Sequence, residues 1–194
     1  QSKNSGIVDA NRKMVLTGRE RHTHARPDNL GYPARAIRTH DYLYIQNIKP
    51  DRWPAGDPAV AFDESHQPAK GFKSMKDGYH DIDACPSKSF LLAFQEEHKK
   101  YFDLAVAKRP EAQLYDIKND PSCINNLSGT SELAKIEAEL KAKLIAALTE
   151  PGDPRMLGNG DIFDSYPRFA SMREFDGFKE RGKYNPKYQK NLKD

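Results

Sequence analysis

Apolar and polar residues alternate over neighbouring stretches in the first quarter of the chain. Residues 34–39 alternate small or apolar side chains with basic ones, and residues 42–47 are rich in aromatic and β-branched side chains. With a turn at residues 40–41 between them, this pattern predicts an antiparallel β-hairpin that is half exposed. The apolar run at residues 14–16 predicts a strand that leads into a polar loop. Residues 113–117 predict a further short strand.

A different periodicity, close to one helical turn, appears in the second half of the chain. It predicts one amphipathic helix capped by Thr130 or Ser131 and ended by Pro151 and Gly152. Its apolar stripe is Leu133, Ile136, Leu140, Leu144 and Leu148. Such a one-sided helix covers one face of a small sheet. The fold class expected is therefore α+β: an antiparallel sheet of three to four strands packed by an amphipathic helix, with long irregular loops.

An earlier helix is predicted from Ser87 as its N-cap, continuing or re-forming up to Lys108 before Pro110. Its apolar positions are spaced by roughly one turn: Phe90, Leu91, Phe94, His98 and Phe102. The residues before this helix, 48–86, are rich in Pro, Gly, Asp and Lys and show no sustained periodicity. Ordered loops of this length usually serve a function, so we expect this one to wrap over another surface.

Composition suggests that the chain depends on a partner. Hydrophobic residues make up 37% of its 194 residues and charged residues 30%, and the mean hydropathy is −0.85. Independent domains usually contain about 45–50% apolar residues. The length fits one domain with appendages. The sequence starts at Gln1, without an initiator Met and without a basic stretch followed by an apolar one, which is the pattern of a signal peptide. We therefore expect a piece of a longer protein or a domain that leans on another.

Charge and apolar run length argue against a nucleic-acid-binding protein and against a membrane-spanning one. The formal net charge is +3, and residues 168–194 hold eight basic and four acidic residues. The basic excess therefore belongs to a C-terminal tail that resembles a solvated terminus. A nucleic-acid-binding protein would concentrate positive charge on a folded face, so no nucleic-acid partner is expected. No apolar run approaches the ~18 residues that a membrane-spanning helix needs, so no membrane span is expected.

No complete catalytic constellation is present in the sequence: there is no phosphate-binding glycine loop, paired-His metalloprotease helix, serine elbow or zinc-spaced cysteine pair. Cys85 and Cys123 are the only cysteines, and whether they pair stays open. His22 and His24 would make a weak metal site, because the guanidinium groups beside them oppose a cation. No metal site is therefore predicted.

The segment from residue 19 to residue 26 is the best candidate for binding chemistry. It contains Arg19, Arg21 and Arg26, two imidazoles and Glu20. Guanidinium and imidazole groups bind sulfate, phosphate or carboxylate through charge-assisted hydrogen bonds, and Glu20 would hold one arginine in place. The alternative is that these charges pair among themselves on a solvated loop.

Several motifs in this order resemble the C-terminal part of a formylglycine-dependent sulfatase, and most closely bacterial heparan N-sulfatase or N-sulfoglucosamine sulfohydrolase-like proteins. The narrower group is indicated by Thr-Gly-Arg-Glu-Arg-His-Thr at residues 17–23 and Asp-Arg-Trp-Pro-Ala-Gly at residues 51–56. Leu-Tyr-Asp at residues 114–116, followed by Asp120-Pro121 and Asn126-Leu127, is typical of the superfamily. Gly-Asp-Pro-Arg-Met-Leu-Gly at residues 152–158 also matches.

The resemblance implies that the catalytic machinery lies outside this chain. In the family a larger N-terminal domain carries a Cys/Ser-x-Pro-x-Arg motif that yields the formylglycine nucleophile, together with a calcium ion. This sequence has no such motif, and residues 85–88 do not match it. The implied division is an end of the catalytic domain or interdomain segment at residues 1–18, a C-terminal domain at residues 19–167 and the basic tail at residues 168–194. The N-terminal domain would be its partner, and the parent enzyme would be periplasmic or secreted.

The resemblance also makes Glu20, Arg21, His22 and Arg26 candidates for contacting a sulfated sugar, because the segment joining the two domains passes near the active site in this family. An interdomain salt-bridge network of the same residues is the alternative. Trp53 is expected to pack against its own loop rather than stack on a sugar. For the chain as a whole, the alternatives to a sulfatase part without its own activity are a stand-alone anion- or carbohydrate-binding module and an inactive structural fragment.

Overall fold

A computed structural model of the chain describes residues 11–22, 25–26, 30–58 and 78–165. Within them, the helices and strands are β1 (Val15–Arg19), β2 (Ala34–Arg38), β3 (Tyr42–Asn47), α1 (Pro86–Ala93), α2 (Lys99–Val106), β4 (Ala112–Asp116) and α3 (Ala134–Thr149). Short 3₁₀ turns lie at Ser131–Leu133 and Gly160–Ser165. The predicted α+β class is confirmed. The predicted tail, residues 168–194, lies outside the described residues.

The four strands form an antiparallel meander in the order β1-β2-β3-β4. Its register places Leu16, Ile37, Tyr44 and Leu114 side by side across the sheet. Alternate residues of a strand point to opposite faces, so these four side chains share one face. The predicted boundary between residues 18 and 19 falls inside β1.

Helix α3 covers that face. Leu140 and Leu144 are buried against Ile37, Tyr44 and Leu114. Leu133, Ile136 and Leu148 of the predicted stripe are partly buried against the same cluster, so the predicted stripe is confirmed. We call this cluster the sheet–helix core. Burial, with smaller effects from the Glu137 and Glu111 carboxylates, raises the pKa of Tyr44 to about 12.

The helix predicted from Ser87 to Lys108 is two separate helices in the structure, α1 and α2. Cys85 rather than Ser87 precedes the first turn, because Pro86 occupies the first helical position, where its fixed φ and missing N–H suit the helix. The apolar positions of these helices are divided between interior and surface, and Phe102 packs against Ala55, Tyr79 and Val106. Phe90 and Phe94 are 48% and 44% exposed, and their rings contact each other on the surface at a tilt of 42°, with centroids 5.0 Å apart.

The opposite face of the sheet is covered at one end by parts of the long loop and by α2. Ala55, Tyr79 and Val106 are buried together there, and we call them the loop–helix cluster. Trp53 packs its ring edge-on to Tyr79 at 6.1 Å, which confirms that it packs on its own loop. Among the described residues, no helix combines the length and apolar character needed to cross a membrane.

Candidate functional site

A buried carboxylate organises the segment that follows β1. The Asp81 side chain is 2% exposed and accepts hydrogen bonds from Arg19 at 2.6 Å and from Arg26 at 2.5 Å. His22 Nδ1 lies 3.2 Å from the other oxygen of Asp81. We call these four residues the Asp81 cluster. They bring together three positions from the predicted segment and one from the long loop.

Arg26 is buried and stabilises the long loop through hydrogen bonds to its backbone. It is 5% exposed, donates through Nε to the Trp53 carbonyl at 2.6 Å and through Nη2 to the Pro54 carbonyl at 2.8 Å, and lies over the Tyr32 ring at 5.7 Å. Burial lowers the pKa of Arg26, while the bond and the charge of Asp81 oppose that shift. The guanidinium is thus fixed among backbone carbonyls and one carboxylate.

Arg21 and His22 lie on the outer side of the same segment. The His22 side chain is 64% exposed, and Arg21 is half-buried. Together with Gly18, Arg19, Glu20 and Asp81 they line an open cleft of about 490 Å³, which we call the rim cleft. Guanidinium and imidazole groups therefore border a space that is open to solvent, beside the carboxylates of Glu20 and Asp81, which are paired with arginines. The guanidinium and imidazole groups are suitable donors for an anionic ligand.

Glu20 also lines the rim cleft, but its carboxylate pairs with two arginines outside the segment. Its carboxylate accepts hydrogen bonds from Arg35 at 2.7 Å and from Arg155 at 2.8 Å. The sequence predicted that Glu20 would hold an arginine, and it does so, but these arginines belong to β2 and to the turn after α3. Glu20 thereby ties the start of the segment to the main sheet.

The bonds of Glu20 are part of a larger ion network at that end of the sheet. Arg35 also binds Asp153 at 2.6 Å and Arg155 binds Asp161 at 3.0 Å, while the Phe163 ring lies 5.8 Å and 5.4 Å from the two guanidinium carbons. Burial lowers the pKa of Arg35, but its bonds to the carboxylates outweigh that effect and raise it. Burial raises the pKa of Asp153, yet Arg35 and the Arg155 amide lower it overall.

Sequence reasoning missed Asp81, Arg35 and Arg155. Asp81 is separated by 59 positions from His22 and by 55 from Arg26, and no fixed spacing in the sequence announces such a pairing. One signal exists for Arg155, which lies in the Gly-Asp-Pro-Arg-Met-Leu-Gly motif at residues 152–158.

Within the described residues, no group of three or more His, Cys, Asp or Glu side chains is arranged to hold a metal ion. Cys85 is exposed and Cys123 half-buried, and both are free thiols.

Comparisons with known proteins give weak structural likeness. No family model matches the chain, and no curated protein matches it. A solved structure of BT4656 in complex with its substrate D-glucosamine-2-N,6-O-disulfate matches with a TM-score of 0.35 and 19% identity. The match covers 76% of this chain and 18% of that chain, so this chain spans less than a fifth of the neighbour's length.

Proposed function

We propose that this chain is the C-terminal part of a sulfatase, an enzyme that hydrolyses sulfate esters or sulfamates, acting on a sulfated glycan such as heparan sulfate. The observation that carries the proposal is the rim cleft, where Asp81 fixes Arg19 and His22 beside Arg21 at an open surface. This basic rim falls on the sequence motif that resembles sulfatases of the heparan N-sulfatase group.

In this proposal the chain binds and orients the sugar. Sulfate oxygens only accept hydrogen bonds, so guanidinium groups and a protonated imidazole are suitable donors. Arg21 and His22 would make these contacts because both line the rim cleft, where the His22 side chain is 64% exposed and Arg21 is half-buried. Glu20 and Arg26 would act as braces, since Glu20 binds two arginines of the sheet end and Arg26 is buried among loop carbonyls.

The catalytic groups would belong to an N-terminal sulfatase domain packed against this chain. That domain would supply a formylglycine nucleophile and a calcium ion, and the parent enzyme would be periplasmic or secreted. The chain alone would therefore bind the sugar without hydrolysing it.

A binding experiment tests the proposal. D-glucosamine-2-N,6-O-disulfate is titrated into the chain, and affinity is measured by calorimetry for the wild type, for His22→Ala and for Arg21→Ala. Each substitution is expected to weaken binding about fivefold, because an exposed charge-assisted contact contributes about 1 kcal/mol. Lys141→Ala is the matched control, since it removes a positive charge from the exposed side of α3.

Two results would overturn the proposal. If His22→Ala and Arg21→Ala bind the sugar as tightly as Lys141→Ala does, the rim cleft is not the sugar-binding site. Release of sulfate by the chain alone would show that the catalytic groups are within it. Tight binding in a native protein that has no further domain would favour a stand-alone carbohydrate-binding module instead.

A further inference from the structure

A buried lysine contacts the turn that carries Asp81. Lys88 lies in the first turn of α1 and is 8% exposed. Its ammonium group donates hydrogen bonds to the Tyr79 carbonyl at 3.2 Å and to the Ile82 carbonyl at 3.1 Å. In the part of the chain that the structure describes, no carboxylate pairs with this ammonium. Lysines are almost never fully buried unless they are paired, so Lys88 is unusual in bonding neutral backbone groups.

The position of Lys88 is unfavourable for a positive charge. Burial removes water from the ammonium, and two carbonyls replace that water incompletely because an ammonium has three N–H donors. The first turn of a helix also carries partial positive charge, which disfavours a cation there. An unbranched apolar side chain would avoid both costs. What the ammonium contributes at this position is therefore its pair of hydrogen bonds to the turn.

The turn that Lys88 bonds has a strained backbone. Tyr79 has a φ of 47°, a left-handed conformation that is unfavourable for a bulky side chain. The Ile82 amide closes the turn on the Tyr79 carbonyl at 3.0 Å, and the Asp81 amide donates to the Ala55 carbonyl at 3.0 Å. Lys88 bonds the carbonyls at both ends of this turn, and Asp81 lies between them. The ammonium therefore restrains the backbone on either side of the carboxylate.

The position of Asp81 in turn determines how two donors of the rim cleft are held. Its carboxylate accepts from Arg19 at 2.6 Å and lies 3.2 Å from His22 Nδ1. The Arg19 and His22 side chains are 42% and 64% exposed, so their contacts with this buried carboxylate restrict their motion. A displacement of Asp81 by about 1 Å along these contacts would exceed the usual hydrogen-bond range. Small movements of the turn would therefore release both donors.

We propose that Lys88 is a positioning residue for the rim cleft. By holding the carbonyls on either side of Asp81, it fixes that carboxylate. Through the carboxylate it fixes the orientation of Arg19 and His22 toward an anionic ligand. Lys88 does not touch the ligand itself. The inference rests on the proposed function for the identity of the ligand, whereas the coupling between Lys88 and His22 is a property of the chain without any ligand.

A spectroscopic test compares the imidazole ¹⁵N signals of His22 in the wild type and in Lys88→Met at one pH. Methionine keeps an unbranched side chain of similar length but has no N–H donor. The contact between Asp81 and the imidazole should loosen, so the His22 signals are expected to move. Leu92→Ala is the control for lost packing, because Leu92 lies on the same helix and packs against the loop–helix cluster. It should leave the His22 signals in place.

A binding test measures the affinity for D-glucosamine-2-N,6-O-disulfate by calorimetry. Lys88→Met is expected to weaken binding about fivefold, as His22→Ala does, because it loosens the donors of the rim cleft. Lys100→Met removes a positive charge from the exposed surface of α2 and should bind like the wild type. In a His22→Ala background Lys88→Met should cost less than in the wild type, since part of its effect acts through that imidazole.

Unmoved His22 signals in Lys88→Met, or equal movement in Leu92→Ala, would overturn the positioning role, as would fully additive losses in the double variant. If Lys88→Met does not fold, the shorter and uncharged Lys88→Gln takes its place with the same expected outcomes. Shifted His22 signals in a chain that does not bind the sulfated sugar overturn the proposed function and support the positioning role. Sugar binding without shifted signals overturns the positioning role alone.

Discussion

At the scale of single residues, the candidate site depends on close approach of two loop segments. Gly56 has a φ of 95°, and an added Cβ would lie 2.8 Å from the Ala25 Cβ and 2.9 Å from the His80 nitrogen. The Asp57 amide also donates to the Ala25 carbonyl at 2.9 Å. The absence of a side chain at Gly56 therefore lets the long loop lie directly against the residue that precedes Arg26.

Substitution of this glycine should cost more than its backbone angle alone explains. Gly152 has a similar φ of 86° but open space around it, so Gly152→Ala measures the conformational cost, about 1–2 kcal/mol. Gly56→Ala is expected to lose about 1–3 kcal/mol more, because the new methyl group overpacks the contact. Urea unfolding of both variants measures the difference. Equal losses would mean that the loop moves aside without cost.

At the scale of elements, the ion network joins β1, β2 and the turn after α3. Arg35 of β2 binds Glu20, which follows β1, and Asp153 of the turn. Arg155 of the same turn binds Glu20 again. Because these groups are largely buried, the strength of the junction depends on the carboxylates being ionised.

This dependence predicts a loss of stability in acid. The bond from Arg35 holds the pKa of Asp153 below its ordinary value despite burial, so the unfolded state binds its proton first as the pH falls. The stabilisation from Asp153 is therefore complete above about pH 4 and is lost below it. Urea unfolding between pH 6 and pH 2.5 is expected to show a shallower decline for Asp153→Asn than for the wild type.

Asp83→Asn serves as the control for this series, because Asp83 is an exposed carboxylate. It should follow the decline of the wild type. An Asp153→Asn variant whose stability falls as steeply as that of the wild type would show that the junction does not respond to this carboxylate.

The elements themselves differed in how well the sequence predicted them. The strands and α3 were predicted because their periodicity is a local property, and Leu140 and Leu144 lie inward as expected. Phe90 and Phe94 are spaced with a similar period, yet they lie on the surface. The periodicity of a helix shows which residues share a face, but it does not show whether that face packs against another element. The partners of Glu20 and His22 could not be predicted, because they depend on how distant segments meet.

At the scale of the whole molecule, the two hydrophobic clusters differ in strength. The sheet–helix core contains Ile37, Tyr44, Leu114 and Leu144, each 0% exposed. The loop–helix cluster consists of Ala55, Tyr79 and Val106, each 5–6% exposed, and its helices leave large apolar side chains such as Tyr101, 61% exposed, at the surface. Regions with few buried apolar contacts open at lower free energy than the global unfolding.

Hydrogen exchange should therefore resolve two units. Amides of β3 and α3 are expected to exchange only through global unfolding, and amides of α2 through an easier local opening. Val106→Ala should lower the opening free energy of α2 by about 1.5–2 kcal/mol and leave that of α3 unchanged. Leu144→Ala should lower the stability of α3 and β3 by about 2–5 kcal/mol. Equal effects of Val106→Ala on α2 and α3 would instead indicate one cooperative unit.

The candidate site lies in the weaker of these two units. Asp81 is flanked by Tyr79 and Ile82, which belong to or pack against the loop–helix cluster, and it holds Arg19, His22 and Arg26. Opening of that cluster would release Asp81 while the sheet stays folded. Val106→Ala is therefore expected to weaken binding of the sulfated sugar at temperatures where the circular dichroism of the strands and α3 is unchanged. A ligand bound in the rim cleft would slow exchange in α2 for the same reason, since it stabilises the closed form.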